Sequence, residues 1–311
     1  MADSVVHLRG EQAGDEDAID EVVCTAFGHM NEANLVRLLR RHCPTFAPRY
    51  SVTAWGGDRL VGHTLLTPVR IHLMGQTLPA LLVAPVAVVP DRQREGIGAQ
   101  MLRYGHDLGR DEGYGLAFLH GHPSYYPRLG YRSCYGSALM TIDTEKLPQP
   151  SMGFIRRPVQ ASDLDWLVRR HQAEYAEVDF ATAWGAHLEE WTLPIVDALV
   201  WWTDDGRRAA YTVATNCATH GQHYRLVLAE DPELAREVIA TARPTRLSHH
   251  PAGWLASEVA DPQWATARVE ASSAAMAYEL QQGVLSPYLE AVASSQRQCG
   301  AGLDPLPFLI W

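Results

Sequence analysis

The stretch VAVVPDRQREGIGA, residues 86–99, determines how the elements around it are interpreted. An apolar, strand-like run ends at Pro90, polar residues follow, and Gly96 and Gly98 precede a segment with helical periodicity. A strand, a glycine turn and a helix start leave several backbone N–H groups outside any hydrogen-bond ladder, and the helix dipole adds positive potential there. The stretch therefore predicts a site for a phosphate or diphosphate, because glycine lets an anion come close to the backbone.

The spacing of the glycines separates several kinds of phosphate site. A P-loop has four residues between its glycines and then Lys-Ser/Thr, and this stretch has neither. A dinucleotide fingerprint needs a third glycine where this chain has Met101. The remaining pattern is Gln93-x-x-Gly96-x-Gly98, preceded by Ala87-Val88-x-Pro90. It resembles the coenzyme A signature of the GCN5-related N-acetyltransferases (GNATs), and an ordinary strand-to-helix turn is the alternative.

A second motif follows the glycine turn after one more helix and one more strand. Residues 115–121 (GLAFLHG) have the pattern of a strand, and HPSYYPRLGY follows at 122–131. GNATs often carry Tyr-Tyr-x-x-x-Gly-Phe/Tyr in a short helix at this point. The matching residues are Tyr125, Tyr126, Gly130 and Tyr131. Two motifs in the right order, with the right element between them, strengthen the resemblance.

The resemblance extends upstream to the first helices. Residues 26–28 (AFG) and the run from Glu32 to Arg40 resemble the first-helix region of the YhbS-like branch of the family. The resemblance covers residues 5–143 and implies an α/β (α+β) fold with a mixed, mostly antiparallel central sheet flanked by helices. It also implies two strands splayed apart to admit the cofactor. We therefore predict an acetyl-CoA-dependent N-acetyltransferase.

Periodicity and turn residues predict the order of elements independently. The predicted ranges are strand 5–9, helix 15–27, a helix capped by Asn31, hairpin strands 50–55 and 59–66, strand 81–89, helix 100–112, strand 115–121 and strand 132–142. Pro85 lacks an N–H, so it marks either the place where its strand leaves a neighbour or the start of the strand proper.

The length of 311 residues predicts two domains, because one domain usually has 100–200. The best linker is LPQP at 147–150, which divides a catalytic domain, 1–147, from a second, smaller α/β domain, 151–311. The pattern Arg-x3-Ala-x-Asp-x-Asp-x-Ile/Leu begins at Arg9 and recurs at Arg157, so the second domain is a candidate degenerate GNAT repeat.

The second half has its own predicted elements and no cofactor motif. It contains a hairpin at 198–214, a helix at 232–242, a strand at 267–271 and an apolar end at 305–311 that we expect to pack as a strand. The pattern Gln/Arg-x-x-Gly-x-Gly does not occur there, which predicts one CoA site per chain. The expected roles of this half are to wall the substrate groove, to support a homodimer, or both.

Charge and composition limit the partners. The formal net charge of −10 argues against a nucleic-acid binder, and it favours a cationic partner such as an amine or simply solubility. The longest apolar run, Leu78–Pro90, is too short and too proline-rich to span a bilayer. Five cysteines without C-x-x-C spacing predict thiols and no zinc site. The first residues lack the features of a signal peptide, so we expect a cytoplasmic protein.

The resemblance implies where the cofactor binds. Backbone N–H groups of the glycine turn would hold the diphosphate, with Arg92 and Arg94 as charge partners. The pantetheine arm would lie along the preceding strand, and a backbone N–H near Val88 would polarise the thioester oxygen. The implied cofactor-binding residues are Ala87, Val88, Val89, Arg92, Gln93, Arg94, Glu95, Gly96, Ile97, Gly98 and Ala99.

The chemistry also needs proton transfer and an acceptor site. Deprotonating an amine of pKa about 10.4 at pH 7 costs roughly 4.6 kcal/mol, and the leaving thiolate takes up a proton. The resemblance implies Tyr126 as the acid, and an aromatic plug is the alternative. His120 is a candidate base. Phe27 and Glu32 are candidate substrate contacts, with a solvated helix-start carboxylate as the alternative for Glu32.

Two classes of function remain at this point. The first is an N-acetyltransferase that modifies a primary amine, which we expect to be a small molecule because the sequence offers no docking surface for a protein tail. The second is a CoA-binding sensor or scaffold with little catalysis. Transfer of a longer acyl group is a further alternative. The residues that form an acyl pocket lie far apart in the chain, so the sequence does not give the size of the pocket.

Overall fold

The computed structural model describes residues 6–192, 197–217 and 221–302, without the side chains of 216, 217, 221 and 222. The strand predicted at 305–311 lies outside these residues. The strands are β1 (His7–Gly10), β2 (Ser51–Gly56), β3 (Arg59–Leu73), β4 (Gln76–Val88), β5 (Leu116–His120), β6 (Arg132–Ser133), β7 (Tyr135–Ile142), β8 (Phe154–Pro158), β9 (Asp197–Thr203), β10 (Arg208–Cys217), β11 (Gly221–Ala229), β12 (Arg246–Leu247), β13 (Ala265–Ala271), β14 (Ala275–Glu279) and β15 (Gly300–Ala301). The helices are α1 (Glu16–Phe27), α2 (Asn31–His42), α3 (Ile97–Asp111), α4 (Leu164–Tyr175), α5 (Leu188–Trp191), α6 (Pro232–Ala242) and α7 (Ser286–Ala293).

The chain folds into two compact units, and neither is continuous in sequence. The first comprises Met1–Val69, Leu78–Ser133 and Ser273–Ser294. The second comprises Arg70–Thr77, Cys134–Ser272 and Ser295–Trp311. These units differ from the predicted division between 1–147 and 151–311, because the first unit ends sooner and takes in a segment from near the end of the chain.

The two sheets have the same topology. Within the described residues, the first sheet has seven strands in the order β1-β2-β3-β4-β5-β14-β6. The second has eight, in the order β8-β9-β10-β11-β12-β7-β13, with β15 added beside β7. The pairs β4/β5 and β11/β12 are parallel at equivalent places, and the other pairs that build each order are mostly antiparallel. The mixed GNAT-like fold and the repeated second domain are therefore confirmed.

The predicted strand 132–142 is wrong as a single element. β6 belongs to the first sheet, while β7 pairs with β13 in the second sheet, from Ile142 opposite Ala265 to Gly136 opposite Ala271. Gly136 permits this pairing, since a β-carbon there would lie 2.1 Å from a carbonyl oxygen of β13. In the second sheet β7 takes the place that β14 takes in the first. The buried side chain of Leu147 belongs to the second core, so the predicted linker lies inside the second unit.

Each unit contains the same arginine–aspartate arrangement before its first long helix. Arg9 donates to Asp15 at 2.6 and 3.0 Å, and the backbone N–H three positions before Asp15 donates to the same carboxylate at 2.7 Å. In the second unit Arg157 donates to Asp163 at 2.7 and 2.9 Å, and the equivalent N–H donates at 2.9 Å. The repeated sequence pattern thus encodes a repeated structure that closes the turn before α1 and before α4.

Helix α3 packs closely against the first sheet and so fixes the position of the glycine turn. Its buried face includes Ile97 and Met101. A β-carbon on Gly105 would lie 2.7 Å from the side chain of Leu66 on β3, so only glycine lets the helix approach this closely. The helix begins at residue 97 rather than 100 as predicted. Likewise α2 begins at residue 31, one residue before the start that the predicted cap implied, and its N-cap is Met30 without a side-chain bond.

Four cysteines have described side chains, Cys24, Cys43, Cys134 and Cys299, and all are in the thiol form. Within the described residues, the helices are all too short or too polar to cross a bilayer.

Candidate functional site

Strands β4 and β5 diverge beside the glycine turn. They pair in parallel from Ala80 opposite Leu116 to Leu82 opposite Phe118, and β4 then continues to residue 88 and β5 to residue 120. Pro85 lies three residues beyond the last of these pairs and has no N–H to donate, which agrees with the prediction that β4 leaves its neighbour there. A gap therefore opens between the ends of the two parallel strands.

The backbone of β4 faces this gap at alternate residues. The N–H of Val89 donates to the carbonyl oxygen of Val61 on β3 at 3.0 Å, so this amide is already used. Because the N–H and C=O groups of successive strand residues point to opposite sides, Ala87 also points to β3 while Val88 and Val86 point to the gap. Of the predicted residues 87–89, only Val88 points its backbone groups to the gap. Val86 does so as well and was not among the predicted residues. The register with β3 was the information that the sequence lacked.

The turn after β4 presents unused N–H groups at the start of α3. Gly96 is the N-cap residue, with φ +79°, and a β-carbon there would meet nothing within 4 Å. The hydrogen-bond ladder of the helix begins with the N–H of Gln100, which donates to the carbonyl of Gly96 at 3.0 Å. The amides of residues 97–99 precede this ladder and have no acceptor within the helix. This geometry can hold an anion.

Side chains of the turn brace it. Gln93 donates from Nε2 to the carbonyl of Val88 at 3.1 Å, which ties the turn to the end of β4. Arg92 donates from Nε to Glu95 at 2.8 Å, so the charge of this predicted phosphate partner is balanced within the turn. Arg94 is exposed, has φ +67°, and forms no ion pair among the described residues. Of the two predicted cations, Arg94 is therefore the one with an uncompensated charge.

Gly98 has a different role from Gly96. A β-carbon at Gly98 would lie 2.9 Å from the hydroxyl oxygen of Tyr125, so the space that glycine leaves is filled by this hydroxyl. Both glycines were predicted to let an anion approach the backbone. Only Gly96 has open space where a β-carbon would stand. The contact joins the glycine turn to the Tyr-Tyr motif, which lies after the next strand.

Tyr126 begins a short 3-10 helix, Tyr126–Leu129, that ends at Gly130 with φ +92°. Its half-buried ring contacts Tyr125 and Tyr131 edge to face, with centroids 5.0 and 5.5 Å away. The ring also lies over Gly121, where a β-carbon would be 2.3 Å from it. Burial, and less strongly the neighbouring Tyr125, raises the pKa of Tyr126 to about 12. The phenol is therefore protonated at neutral pH.

A buried cluster of aromatic side chains packs against Tyr126 through Tyr131. The hydroxyl of Tyr131 lies 2.8 Å from Nε2 of His106 on α3, and the ring of Tyr278 on β14 stacks on His106 with centroids 4.3 Å apart. Burial lowers the pKa of His106 to about 4, so the imidazole is neutral at pH 7. The sequence analysis missed His106 and Tyr278, because nothing local connects β14 with the Tyr-Tyr motif.

The remaining predicted residues lie at two other places. His120 is exposed at the end of β5, where it pairs with Ala275 of β14. Glu32, in the first turn of α2, lies 2.9 Å from Nδ1 of His29, and the exposed ring of Phe27 is 6.3 Å from the His29 ring. Among the described residues, no hydrogen bond or ring contact joins Glu32 or Phe27 to Tyr126. The structure therefore groups Phe27 and Glu32 around His29.

Comparison with known proteins places this arrangement in a family. A model described as "Acetyltransferase (GNAT) domain" matches residues 7–134. The uncharacterized N-acetyltransferase YjhQ of Escherichia coli is 36% identical over 124 residues, which is 39% of this chain and 67% of YjhQ. The chain belongs to the GNAT superfamily and is an acyltransferase.

Solved structures resemble the whole chain rather than its first half alone. A GCN5-related N-acetyltransferase from Kribbella flavida has a TM-score of 0.64 at 18% identity, with 88% of this chain and 71% of that chain covered. Another from Anabaena variabilis has a TM-score of 0.67 at 12% identity, with 89% and 73% covered. At these identities the likeness shows the fold, and it includes both units.

Proposed function

We propose that this protein transfers an acetyl group from acetyl-CoA to a primary amine of a small molecule, by direct attack of the amine on the thioester. One observation carries the proposal: the gap between β4 and β5 opens beside a helix N-terminus whose first amides precede the hydrogen-bond ladder of the helix, and the fold holds a protonated phenol near both. Each part corresponds to a requirement of thioester aminolysis.

The diphosphate of the cofactor binds the glycine turn. The amides of residues 97–99 and the positive end of the α3 dipole supply donors, and the open face of Gly96 lets the anion reach the backbone. Arg94 adds a positive charge at the rim. The pantetheine arm then runs along the gap, where the backbone of Val86 and of Val88 bonds its amide groups in the manner of an added strand.

The thioester carbonyl lies near the end of β4. The N–H of Val88 points to the gap, so it can donate to the carbonyl oxygen as that oxygen gains charge in the tetrahedral transition state. Donors fixed in a backbone lose little reorganisation energy when they act, and removal of one such donor typically costs 100- to 1,000-fold in rate.

Tyr126 assists departure of the CoA thiolate. With a pKa of about 12 the phenol is fully protonated, so it always offers a hydrogen bond to the sulfur. Full transfer to a thiolate of ordinary pKa, about 8.5, would be unfavourable, but burial in the gap raises the pKa of the thiol as well and narrows the difference. His120 is the candidate group that takes the proton of the amine, directly or through water.

The described residues of the second unit repeat the fold with a different helix start in place of the glycine turn. At the start of α6 the carboxylate of Asp231 accepts the N–H of Glu233 at 2.7 Å and that of Leu234 at 3.2 Å. The positive helix end is therefore occupied by the protein's own anion, where the first unit has Gly96. This supports the proposal of a single CoA site per chain.

A buried histidine and glutamate fill the equivalent gap in the second unit. After the β11/β12 pairs, the N–H of Val227 donates to Nε2 of His249 at 3.0 Å. Because Nε2 accepts, the other ring nitrogen carries the proton and donates to Glu174 at 3.0 Å. A side chain thus takes the strand donor that a pantetheine amide would need.

The test is acetyl-CoA turnover against a panel of small amines, together with calorimetry of CoA binding. We expect one CoA per chain and a Tyr126→Phe variant with kcat lowered about 100-fold at nearly unchanged CoA affinity. Tyr114→Phe, another half-buried tyrosine of the first unit, is the matched control and keeps wild-type kcat. CoA binding without acetylation of any amine would favour the sensor function instead. Equal kcat for wild type and Tyr126→Phe would exclude the phenol as the acid.

A further inference from the structure

A cavity of about 220 Å³ lies within the second unit, apart from the glycine turn and the Tyr-Tyr motif. The tip of the β3–β4 hairpin forms one wall. Backbone hydrogen bonds from His72 to residues 180 and 181 hold the tip in place. Helix α4 forms the other wall. The lining residues are Arg70, His72, Thr77, Val168, His171, Gln172, Ala183 and Trp184.

One lining residue, His72, holds an unsatisfied polar atom. His72 is 5% exposed, its Nδ1 lies 3.2 Å from the hydroxyl of Thr77, and its Nε2 has no hydrogen-bond partner among the described residues. A buried polar atom without a partner costs about 1–3 kcal/mol, so a ligand that bonds Nε2 would recover this energy. The second buried imidazole, His171, stacks on the indole of Trp184 with centroids 5.1 Å apart.

The charges of the lining residues indicate the net charge that a ligand of the cavity would carry. Burial lowers the pKa of His72, and it lowers that of His171 to about 3, so both rings are neutral at pH 7. Arg70, at the exposed mouth, is then the positive charge of the cavity, and the described lining includes no Asp or Glu. One guanidinium beside neutral hydrogen-bonding groups matches a monoanion, whereas a doubly charged phosphate would exceed the available compensation.

The remaining lining is apolar. Val168, Ala183 and the half-buried Trp184 cover the part of the cavity away from the arginine. The volume equals about seven water molecules at roughly 30 Å³ each, and pockets for drug-sized ligands start near 300 Å³. The ligand is therefore larger than a simple ion and much smaller than coenzyme A.

We propose that this cavity binds a small organic carboxylate, with the carboxylate between Arg70 and His72 and a short apolar body against Trp184 and Val168. The site is independent of the acetyl-transfer reaction, since its residues belong to the other unit and its binding can be measured without CoA. Because the hairpin tip supplies Arg70 and His72, the same ligand would also hold the tip against α4.

The experiment is an NMR or calorimetric titration of the full chain with benzoate, benzamide and inorganic phosphate. Benzoate should bind saturably and at least tenfold more tightly than its uncharged isostere benzamide, and more tightly than phosphate. Arg70→Gln should weaken benzoate at least tenfold, because the charge partner is lost. Arg169→Gln removes an exposed arginine of α4 that does not line the cavity, and benzoate affinity should not change.

A second variant tests the location without removing charge. Val168→Trp fills the cavity from a half-buried helix position, and it should abolish benzoate binding while circular dichroism and the melting temperature report an intact fold. The proposal is overturned if benzoate fails to saturate or binds no better than benzamide. It is also overturned if phosphate binds better, or if Arg70→Gln and Arg169→Gln have equal effects.

Discussion

The hydroxyl oxygen of Tyr125 lies against Gly98, 2.9 Å from the point where a β-carbon would stand. This contact links the first turn of α3, the proposed diphosphate site, to the tyrosine pair that supplies the proposed acid. The glycine that marks the cofactor motif is therefore also the seat of the second motif. Mutation can test how strongly this contact limits position 98.

Gly98→Ala should place a methyl group where the Tyr125 hydroxyl lies. We expect a loss of stability of about 1 kcal/mol and a several-fold higher KM for acetyl-CoA, because the tyrosine pair must shift. Tyr125→Phe removes the hydroxyl and makes room, so the double variant should regain the stability and KM of Tyr125→Phe alone. Calorimetric melting and initial-rate kinetics measure both quantities. Additive losses in the double variant would show that the contact does not limit this position.

Gly96→Ala tests whether the open face of the glycine turn is needed for CoA binding. Gly113→Ala is the control for the backbone strain that alanine causes at a positive φ. Gly96 and Gly113 have φ of +79° and +80° and equal free space, but only Gly96 lies at the N-terminus of α3. Alanine at either position should cost about 1–2 kcal/mol of unfolding free energy, since L-residues avoid this conformation. CoA affinity measured by calorimetry should fall about tenfold for Gly96→Ala and stay unchanged for Gly113→Ala. The same affinity in both variants would remove the diphosphate from this turn.

The pH dependence of kcat should reflect the raised pKa of Tyr126. The phenol acts in its protonated form, and a pKa of about 12 keeps it protonated throughout the usual assay range. We expect kcat to rise with pH as the amine loses its proton and to show no descending limb up to pH 10. A descending limb near pH 10 that is absent in Tyr126→Phe would mean that the phenol titrates at its ordinary value.

Asp163 should contribute to stability in a pH-dependent way. Burial raises the pKa of this carboxyl, but the hydrogen bond from Arg157, a backbone N–H and the charge of Arg208 together outweigh burial and lower it. A lowered folded-state pKa gives stability that is present above the unfolded value near 3.8 and lost as pH falls through the folded value. We expect Asp163→Asn to cost about 3 kcal/mol at pH 7, with a smaller difference from wild type below pH 4.

The matched control is Asp107→Asn. Asp107 pairs with Arg110 at 2.6 Å, yet the two side chains are 69% and 42% exposed. Solvent screens such a pair, so the loss should be below about 0.5 kcal/mol at any pH. Urea unfolding at pH 7 and pH 3.5 measures both variants, and equal losses at pH 7 would contradict the role assigned to the buried pair.

Local sequence predicted the elements that depend on near neighbours. The β2–β3 hairpin, the helices α1–α3 and α6 and the repeated Arg-to-Asp pattern were all identified, because turn residues, helical periodicity and short ion pairs act within a few positions. The glycine turn was also located correctly. The passage of the chain from the first sheet to the second between β6 and β7 was not predicted. Residues 132–142 have the pattern of one strand, and the residue between β6 and β7 is neither glycine nor proline.

The amino-acid sequence by itself indicated the family, the glycine turn and the tyrosine pair, since each is a short pattern of neighbouring residues. Only the tertiary structure decided that β14 enters the first sheet and β7 the second, that Val86 rather than Val89 faces the gap, and that Tyr278 supports His106. Strand partners and the direction of backbone groups depend on contacts between segments far apart in the chain. Local propensities do not encode such contacts, because the pairing energy appears only when the distant strand has arrived.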